Sequence, residues 1–302
     1  MFTVRVPATI ANMGPGFDSF GMAVSLYNRF TFEIAEPGTL DSLSFSTAGM
    51  ADMSALAGES ASENIVLQAM SRLYDHAGQI RPAMKVSVQA DIPVARGLGS
   101  SSTAIIAGLL AANRLLGNVY PPDELLDVVI DMEGHPDNVA PALHGGVVLY
   151  DTQAYRLPWP IEWRIMTLSP DYPVSTEEAR RILPKDYTLA DAIYNLRKAS
   201  VLTYALLQGD PEALRQSLHD RLHQPYRCHL IAEYELIERL VMDAGAYGMI
   251  ISGSGSTMAV FYPSVLHATL VEQVENLIAR QHWRMDLNCL ALDTDGAKFE
   301  DG

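Results

Sequence analysis

Two cysteines, Cys228 and Cys289, are the only ones in a chain of 302 residues. A disulfide framework is therefore excluded as the source of stability, and two thiols so far apart read as free in a reducing compartment. Long apolar runs are also missing, and none approaches the roughly 18–20 residues of a membrane span. Positive charge is scarce. Lys and Arg number 21 against 36 Asp and Glu, a formal net charge of −15, which opposes binding to nucleic acid or an anionic membrane. The histidines form no H-x-x-H or H-E-x-x-H pattern, so no zinc site is indicated. The opening Met-Phe-Thr-Val-Arg-Val alternates like a strand and lacks the apolar heart of a secretion signal, so a cytoplasmic location is expected.

The chain has ample core-forming capacity, with 48% hydrophobic and 19% charged residues. Its length suits two ordinary domains. Strand patterns fall at 4–8, 29–35, 84–92, 145–150, 163–168, 248–252, 257–262 and 289–293. Helical patterns fall at 60–77, 100–116, 122–133, 176–183, 189–208, 211–222, 231–244 and 265–281. The helix from residue 60 opens on Ser60-Ala-Ser-Glu63, the spacing of a capping box. Residues 38–58 are turn-rich and poor in charge, and read as loop with short strands. Leu157-Pro-Trp-Pro160 marks a boundary, giving expected halves 1–157 and 158–302 of α+β character.

The densest signal is Gly97-Leu-Gly-Ser-Ser-Ser-Thr103, between a strand pattern and an Ala-rich helix. The leading N–H groups of such a helix have no partners within it, and its dipole places positive potential there. Together they favour an anion such as phosphate. The two commonest nucleotide loops are excluded. No Lys follows Gly99, as a Walker A loop requires, and the third glycine of a dinucleotide fingerprint is absent. Letters alone leave a plain strand–turn–helix connection with a serine cap as the alternative.

Wider context decides between them. Residues 92–103, Ile-Pro-Val-Ala-Arg-Gly-Leu-Gly-Ser-Ser-Ser-Thr, resemble the ATP-binding signature of the GHMP small-molecule kinases, which include galactokinase, mevalonate kinase and homoserine kinase. Residues 3–28 resemble the family's amino-terminal motif in its homoserine kinase form. Ile251-Ser-Gly-Ser-Gly-Ser-Thr257 resembles the glycine-rich third motif. Glu133-Gly-His-Pro-Asp-Asn-Val-Ala-Pro-Ala-Leu-His-Gly-Gly146 is similar to a segment specific to homoserine kinases, although here only Gly134 separates the Glu from the His. Four motifs occur in the family's order.

The resemblance implies a two-domain GHMP kinase fold: an amino-terminal domain with a left-handed β-α-β crossover, a ferredoxin-like carboxy-terminal domain, and the site between them. It implies ATP and Mg²⁺ as cofactors, L-homoserine as the small-molecule substrate, a place in threonine biosynthesis and a homodimer. Residue by residue, it places Pro93, Arg96, Gly97, Leu98, Gly99, Ser100, Ser101, Ser102 and Thr103 around the nucleotide phosphates. Asn64 lies near the base, and Ser101 and Glu133 at the metal. It assigns Asn12, Asp18, His135, Asn138, Thr176, Arg180 and Arg227 to the amino acid. Chemistry agrees where it can speak. A hydroxyl and a carboxylate suit a hard cation, and a carboxylate substrate favours arginine. Asp18 either takes the acceptor's hydroxyl proton or only orients that hydroxyl. Two rivals remain: another GHMP kinase such as mevalonate kinase, and a nucleotide-binding regulator of the same fold without catalysis.

Overall fold

Strand β1 (Phe2–Ala11) buries Val4 and Val6 alternately, and from Val6 onward every residue is buried, so the strand runs from a one-sided sheet into the middle of the molecule. A computed structural model describes residues 1–46 and 64–300. β1 pairs antiparallel with β2 (Phe20–Ile34), and the register shifts between Pro7 and Ala8. Proline donates no ladder hydrogen bond, and such irregularities collect where it sits in a sheet. β3 (Ser42–Ser46), helix α1 (Ile65–His76) and β4 (Met84–Ala90) form a parallel crossover, with β4 antiparallel to β2. The expected capping box at Ser60–Glu63 lies outside the described residues, as does the expected loop from 47 to 58. The described cap of α1 is Asn64, whose side chain accepts from the Val66 N–H at 3.0 Å.

Helix α2 (Ser100–Leu115) packs on α1, and an added Cβ on Gly108 would lie 2.2 Å from the Val66 carbonyl oxygen. Only hydrogen fits at that crossing. α3 (Pro122–Glu133) and α4 (Pro136–His144) follow, then β5 (Val147–Tyr150) and β6 (Ala154–Leu157). The sequence patterns missed α4, because two prolines and a flanking Gly pair mask its period. Pro136 sits at its first turn, where the missing N–H costs nothing.

Beyond Trp159, which stacks edge-on against Trp163 and Phe261, the second half begins. It comprises β7 (Trp163–Pro170), α5 (Thr176–Arg181), α6 (Leu189–Gln208), α7 (Pro211–Ser217), α8 (Gln224–Arg227), α9 (Tyr234–Asp243), β8 (Gly248–Ile251), β9 (Met258–Pro263), α10 (His267–Gln281) and β10 (Met285–Leu290). Its sheet is ordered β10-β7-β9-β8 with every pair antiparallel. Counting these strands one to four along the chain gives 4-1-3-2 with helices in the two long connections, the ferredoxin-like pattern. The helix expected over 211–222 ends at Ser217, where the chain turns so that Asp220 can collect the N–H groups of Leu222, His223 and Gln224. The last strand, β11 (Lys298–Glu300), returns to pair with β1. The carboxy-terminal residues thus complete the first sheet rather than the second.

Three apolar cores result. One lies between the first sheet and α1, α2 and α4. Another lies under α9 and α10. The third joins the halves: Ile10, Met13, Phe20 and Met22 of the first pack with Trp163, Ile250, Phe261, Leu206 and Leu214 of the second. Each such buried side chain contributes about 1.5–3 kcal/mol, so the relative placement of the halves is fixed by packing. The cleft between them is the site described next.

Candidate active site

The glycine- and serine-rich loop reaches Gly99, which caps α2 in the left-handed region at φ 68° with no side-chain hydrogen bond. The serine cap of the alternative reading is not what forms: glycine takes that position and the serines begin the helix itself. Ser100 and Ser101 face a cleft of about 270 Å³ at this uncapped end. The loop glycines have a second reason to exist. A Cβ on Gly97 would meet the Ser252 carbonyl oxygen at 2.1 Å, and one on Gly99 would meet Thr9 Oγ1 at 2.0 Å. Close protein packing, as much as ligand approach, dictates glycine there. The Gly253 turn closes on the loop: Ser252 Oγ donates to the Gly97 carbonyl at 2.5 Å and the Thr257 N–H to the Arg96 carbonyl at 3.0 Å.

Glu133 is the last residue of α3. Gly134 follows at φ 84°, taking the left-handed turn that ends the helix, and His135 caps α4. One glycine is therefore enough to bring both Glu133 and His135 into the cleft. The Glu133 carboxylate accepts from Ser102 Oγ at 2.8 Å and from Ser101 Oγ at 3.4 Å. Burial pushes its carboxyl above the usual carboxylate range, only partly offset by the Ser102 hydrogen bond and the charge of His135. No lysine or arginine pairs with it in any described ion pair. A half-buried carboxylate flanked by hydroxyls, with no lysine or arginine beside it, is a donor set that fits a hard divalent cation.

Across the cleft, the loop from Asn12 to Asp18 is held in unusual backbone. Asn12, Met13 and Asp18 have φ of 70°, 42° and 55°. Asn12 stabilises this shape. Its Oδ1 accepts the Asp18 N–H at 3.1 Å, and its Nδ2 donates to the Gly253 carbonyl at 3.1 Å. Asp18 thereby faces α5, where Ser175 caps the helix by accepting the Glu178 N–H at 3.0 Å. From α5, Arg180 grips Asp18 through two hydrogen bonds of 2.9 and 3.2 Å. Arg227, almost fully buried, donates from Nη1 to the Gly253 carbonyl at 2.9 Å and from Nε to the Ala179 carbonyl at 3.2 Å. Burial and the neighbouring Arg180 charge both lower its pKa.

His135 Nδ1 lies 2.6 Å from Asp137 Oδ1. Burial pulls this imidazole down, but the Asp137 hydrogen bond and the charges of Asp137, Glu133 and Asp18 outweigh it and raise it above its ordinary value. Asp18, His135 and Asp137 bring ligand atoms within 4.8 Å of one another. Arg180 and His135 already answer the two carboxylates there, so this cluster is internally neutralised, unlike Glu133. Asn138 accepts from Thr9 Oγ1 at 2.7 Å.

The cleft therefore gathers Asn12, Asp18, Arg96, Gly97, Gly99, Ser100, Ser101, Glu133, His135, Asn138, Thr176, Arg180 and Arg227. It does not gather Asn64, Pro93, Leu98, Ser102 or Thr103. Leu98 and Pro93 are buried, Thr103 Oγ1 accepts from Asn28 Nδ2 and donates to the Ser100 carbonyl, and Ser102 reaches the site only through Glu133. Arg96 lines the cleft, but its guanidinium is already matched by Asp171 at 2.6 Å and Asp286 at 3.9 Å. Its charge is therefore largely neutralised. Sequence reasoning missed the lining residues Ala95, Met132 and Ser254. It also missed Phe17 and His223, which stack behind the Asp18 loop at 5.0 Å. An aromatic beside Asp18 and a histidine four residues before Arg227 were the available signals.

Residues 64–146 match the model of the GHMP kinases N terminal domain. Over 301 residues the chain is 42% identical to the homoserine kinase of Trichormus variabilis, covering 98% of this chain and 97% of that one. It is 39% identical over 304 residues to the homoserine kinase of Crocosphaera subtropica, covering 98% and 96%. The crystal structure of homoserine kinase from Cytophaga hutchinsonii superposes with a TM-score of 0.87 at 29% identity, covering 99% and 97%. Mevalonate kinase from L. major, solved with R-mevalonate, shares the fold with a TM-score of 0.69 at 16% identity, covering 96% and 95%.

Proposed function

The chain belongs to the homoserine kinases of the GHMP kinase family, and on that premise we propose how its own residues carry out the transfer of a phosphoryl group from ATP to the side-chain hydroxyl of L-homoserine. The products are O-phospho-L-homoserine and ADP, a step of threonine biosynthesis. The observation that carries the reading is one cleft in which an uncapped helix end faces two arginines across a carboxylate and an acidic loop.

Phosphoryl transfer asks mainly for positioning and charge stabilisation. The N–H groups at the start of α2 cradle the nucleotide phosphates, and Ser100 and Ser101 add hydroxyl donors. Glu133 and the Ser101 hydroxyl would hold Mg²⁺, which neutralises phosphate charge when bound, while Ser102 holds the Glu133 carboxylate in place. Asn64, at the head of α1, lies near the base. Arg227 and Arg180 receive the acceptor's carboxylate, Thr176 borders it, and His135 and Asn138 line its other side. Asp18 accepts the hydrogen bond of the acceptor hydroxyl and turns its oxygen toward the phosphate.

Arg180 occupies both Asp18 oxygens. This pair is solvent-accessible, at 41% and 35% side-chain exposure, and exposed pairs are worth only about 0.2–1 kcal/mol. A substrate carboxylate that meets Arg180 and Arg227 together gains two cationic partners where Asp18 has one, and so competes with Asp18 for Arg180. Carboxylate recognition then frees the residue that meets the hydroxyl. Acceptors without a carboxylate leave Asp18 held.

A homodimer is part of the same proposal. What supports it is α6, where Leu189, Ile193, Leu196, Tyr204 and Leu207 stand exposed. Their spacing of four, three, eight and three residues draws one apolar stripe along the helix, and such stripes mark contact surfaces.

The test is ADP release from Mg-ATP in the presence of L-homoserine, mevalonate, galactose or no acceptor. Release dependent on L-homoserine is expected. Release with mevalonate alone overturns the reading, and ATP binding without acceptor-dependent turnover favours a regulator.

A further inference from the structure

We infer that His223, as a neutral ring donating from Nε2, is a positioning residue for the acceptor: it sets the Gly14–Asp18 loop and the Arg227 guanidinium together. This rests on the reading of Arg180 and Arg227 as a carboxylate clamp.

His223 has no exposed surface. Its backbone N–H donates to Asp220 Oδ2 at 2.8 Å, and Asp220 also takes the N–H groups of Leu222 and Gln224, so the segment that carries the ring is rigid. Asn195 reinforces it, donating from Nδ2 to Asp220 Oδ1 at 2.9 Å and to the Pro15 carbonyl at 3.2 Å.

The ring then makes three contacts of different kinds, and its Nε2 also lies 3.7 Å from Asp220 Oδ2, a second acceptor on the Gly14 side. Nε2 lies 2.8 Å from the Gly14 carbonyl oxygen. A carbonyl can only accept, so Nε2 carries the hydrogen. Nδ1 faces Arg227 Nη1 at 3.5 Å. A guanidinium can only donate, so Nδ1 offers a lone pair, which it has only in the neutral ring. The ring face stacks on Phe17 at 5.0 Å and 18°. Phe17 directly precedes Asp18, and its ring also faces the guanidinium carbons of Arg227 and Arg180 at 5.1 and 5.7 Å.

His223 therefore connects the residue that faces the hydroxyl to one that receives the carboxylate. The acceptors at Nε2, Gly14 and Asp220, and the donor at Nδ1, Arg227, favour the same tautomer. Loss of the ring frees the Gly14 carbonyl and one face of Phe17 on one side, and removes an acceptor from Arg227 on the other. The nucleotide end of the cleft, built by α2 and Glu133, makes no described contact with it.

The test compares His223→Phe, which keeps an aromatic face but neither hydrogen bond, with His223→Gln, whose amide can donate to Gly14 and accept from Arg227. For H223F, the KM for L-homoserine is expected to rise about 10–100-fold, the worth of one or two polar contacts, with KM for ATP within about twofold. H223Q is expected to recover most of the loss. Equal rises in both KM values, an unchanged homoserine KM, or H223Q as impaired as H223F overturns the assignment. If H223F does not fold, H223Q against wild type decides by the same KM split, since glutamine cannot stack as imidazole does and should show a smaller, homoserine-only rise. Homoserine amide separates the two readings. Wild-type protein that fails to discriminate L-homoserine from its amide overturns the clamp itself. Clear discrimination in wild type with an unchanged KM in both variants overturns only the role of His223.

Discussion

Arg180 and Asp18 hold each other through both carboxylate oxygens, Nη2 to Oδ1 at 2.9 Å and Nη1 to Oδ2 at 3.2 Å. In the proposed reading one residue receives the acceptor's carboxylate and the other its hydroxyl, so recognition at one end of the acceptor releases chemistry at the other. Arg180→Ala should raise KM for L-homoserine about 10–100-fold. Asp18→Asn should lower kcat about 100-fold or more with a smaller change in KM. Steady-state kinetics of both variants check this. Matching losses in kcat for the two would contradict the division of roles.

Glu133 is a carboxylate kept in an environment that disfavours its charge. Glu133→Gln should abolish most activity and raise the Mg²⁺ concentration needed for half-maximal rate, while thermal stability stays equal or rises because a buried charge is gone. Activity titrations with Mg²⁺ and a melting curve on the same preparation measure both effects. A variant with lowered melting temperature and an unchanged Mg²⁺ requirement would make Glu133 structural.

Gly97 and Gly134 both occupy the left-handed region, at φ 81° and 84°, but differ in surroundings. A Cβ on Gly97 strikes the Ser252 carbonyl oxygen, whereas one on Gly134 meets nothing within 4 Å. Gly97→Ala should cost about 2–4 kcal/mol from backbone strain plus overlap, and Gly134→Ala about 1–2 kcal/mol from strain alone. Denaturant midpoints compare the two. Equal costs would mean that the closure of the Gly253 turn on the phosphate loop contributes nothing.

His223 brings a pH dependence whose sign follows from its surroundings. Burial lowers its pKa from the ordinary 6.5, Arg227 lowers it further, and Asp220 and, more distantly, Asp18 oppose them. A value depressed in the folded state means a stabilising contribution that is present above about pH 6.5 and lost as pH falls through the depressed value. Wild-type melting temperature should therefore fall more steeply than that of H223Q between about pH 7 and 5. Parallel pH profiles would show that the ring does not titrate with folding.

The apolar stripe on α6 calls for a partner surface. Leu196→Glu places a charge at its middle, where Leu196 is 69% exposed. Light scattering coupled to size exclusion should show a dimer for wild type and a monomer for the variant. A wild-type monomer would contradict the homodimer.

Motif letters named residues that share one cleft because each stands in a short local segment: Gly97, Gly99, Ser100, Ser101, Glu133 and Asp18. What escaped was set by long-range packing. Arg96 looked like a phosphate ligand, and its commitment to Asp171, 75 residues away, is invisible in a local reading. His223 carried no motif, because its meaning depends on Gly14 and Phe17, more than two hundred residues earlier. Helix α7 was drawn five residues too long, because nothing in its apolar period signals that Asp220 captures the next backbone groups. Strand β11 was missed because three residues are too short to show alternation, and its pairing with β1 spans the whole chain.

The central claim is that this cleft delivers phosphate to the side-chain hydroxyl of an amino acid held by its carboxylate. Phosphorus NMR of a reaction containing the protein, Mg-ATP and L-homoserine tests it most directly. A new phosphate monoester resonance, coupled to the methylene protons of the homoserine side chain and growing with ADP, is the predicted result. ADP appearing with free inorganic phosphate alone, or a monoester formed with mevalonate and not with L-homoserine, would contradict it.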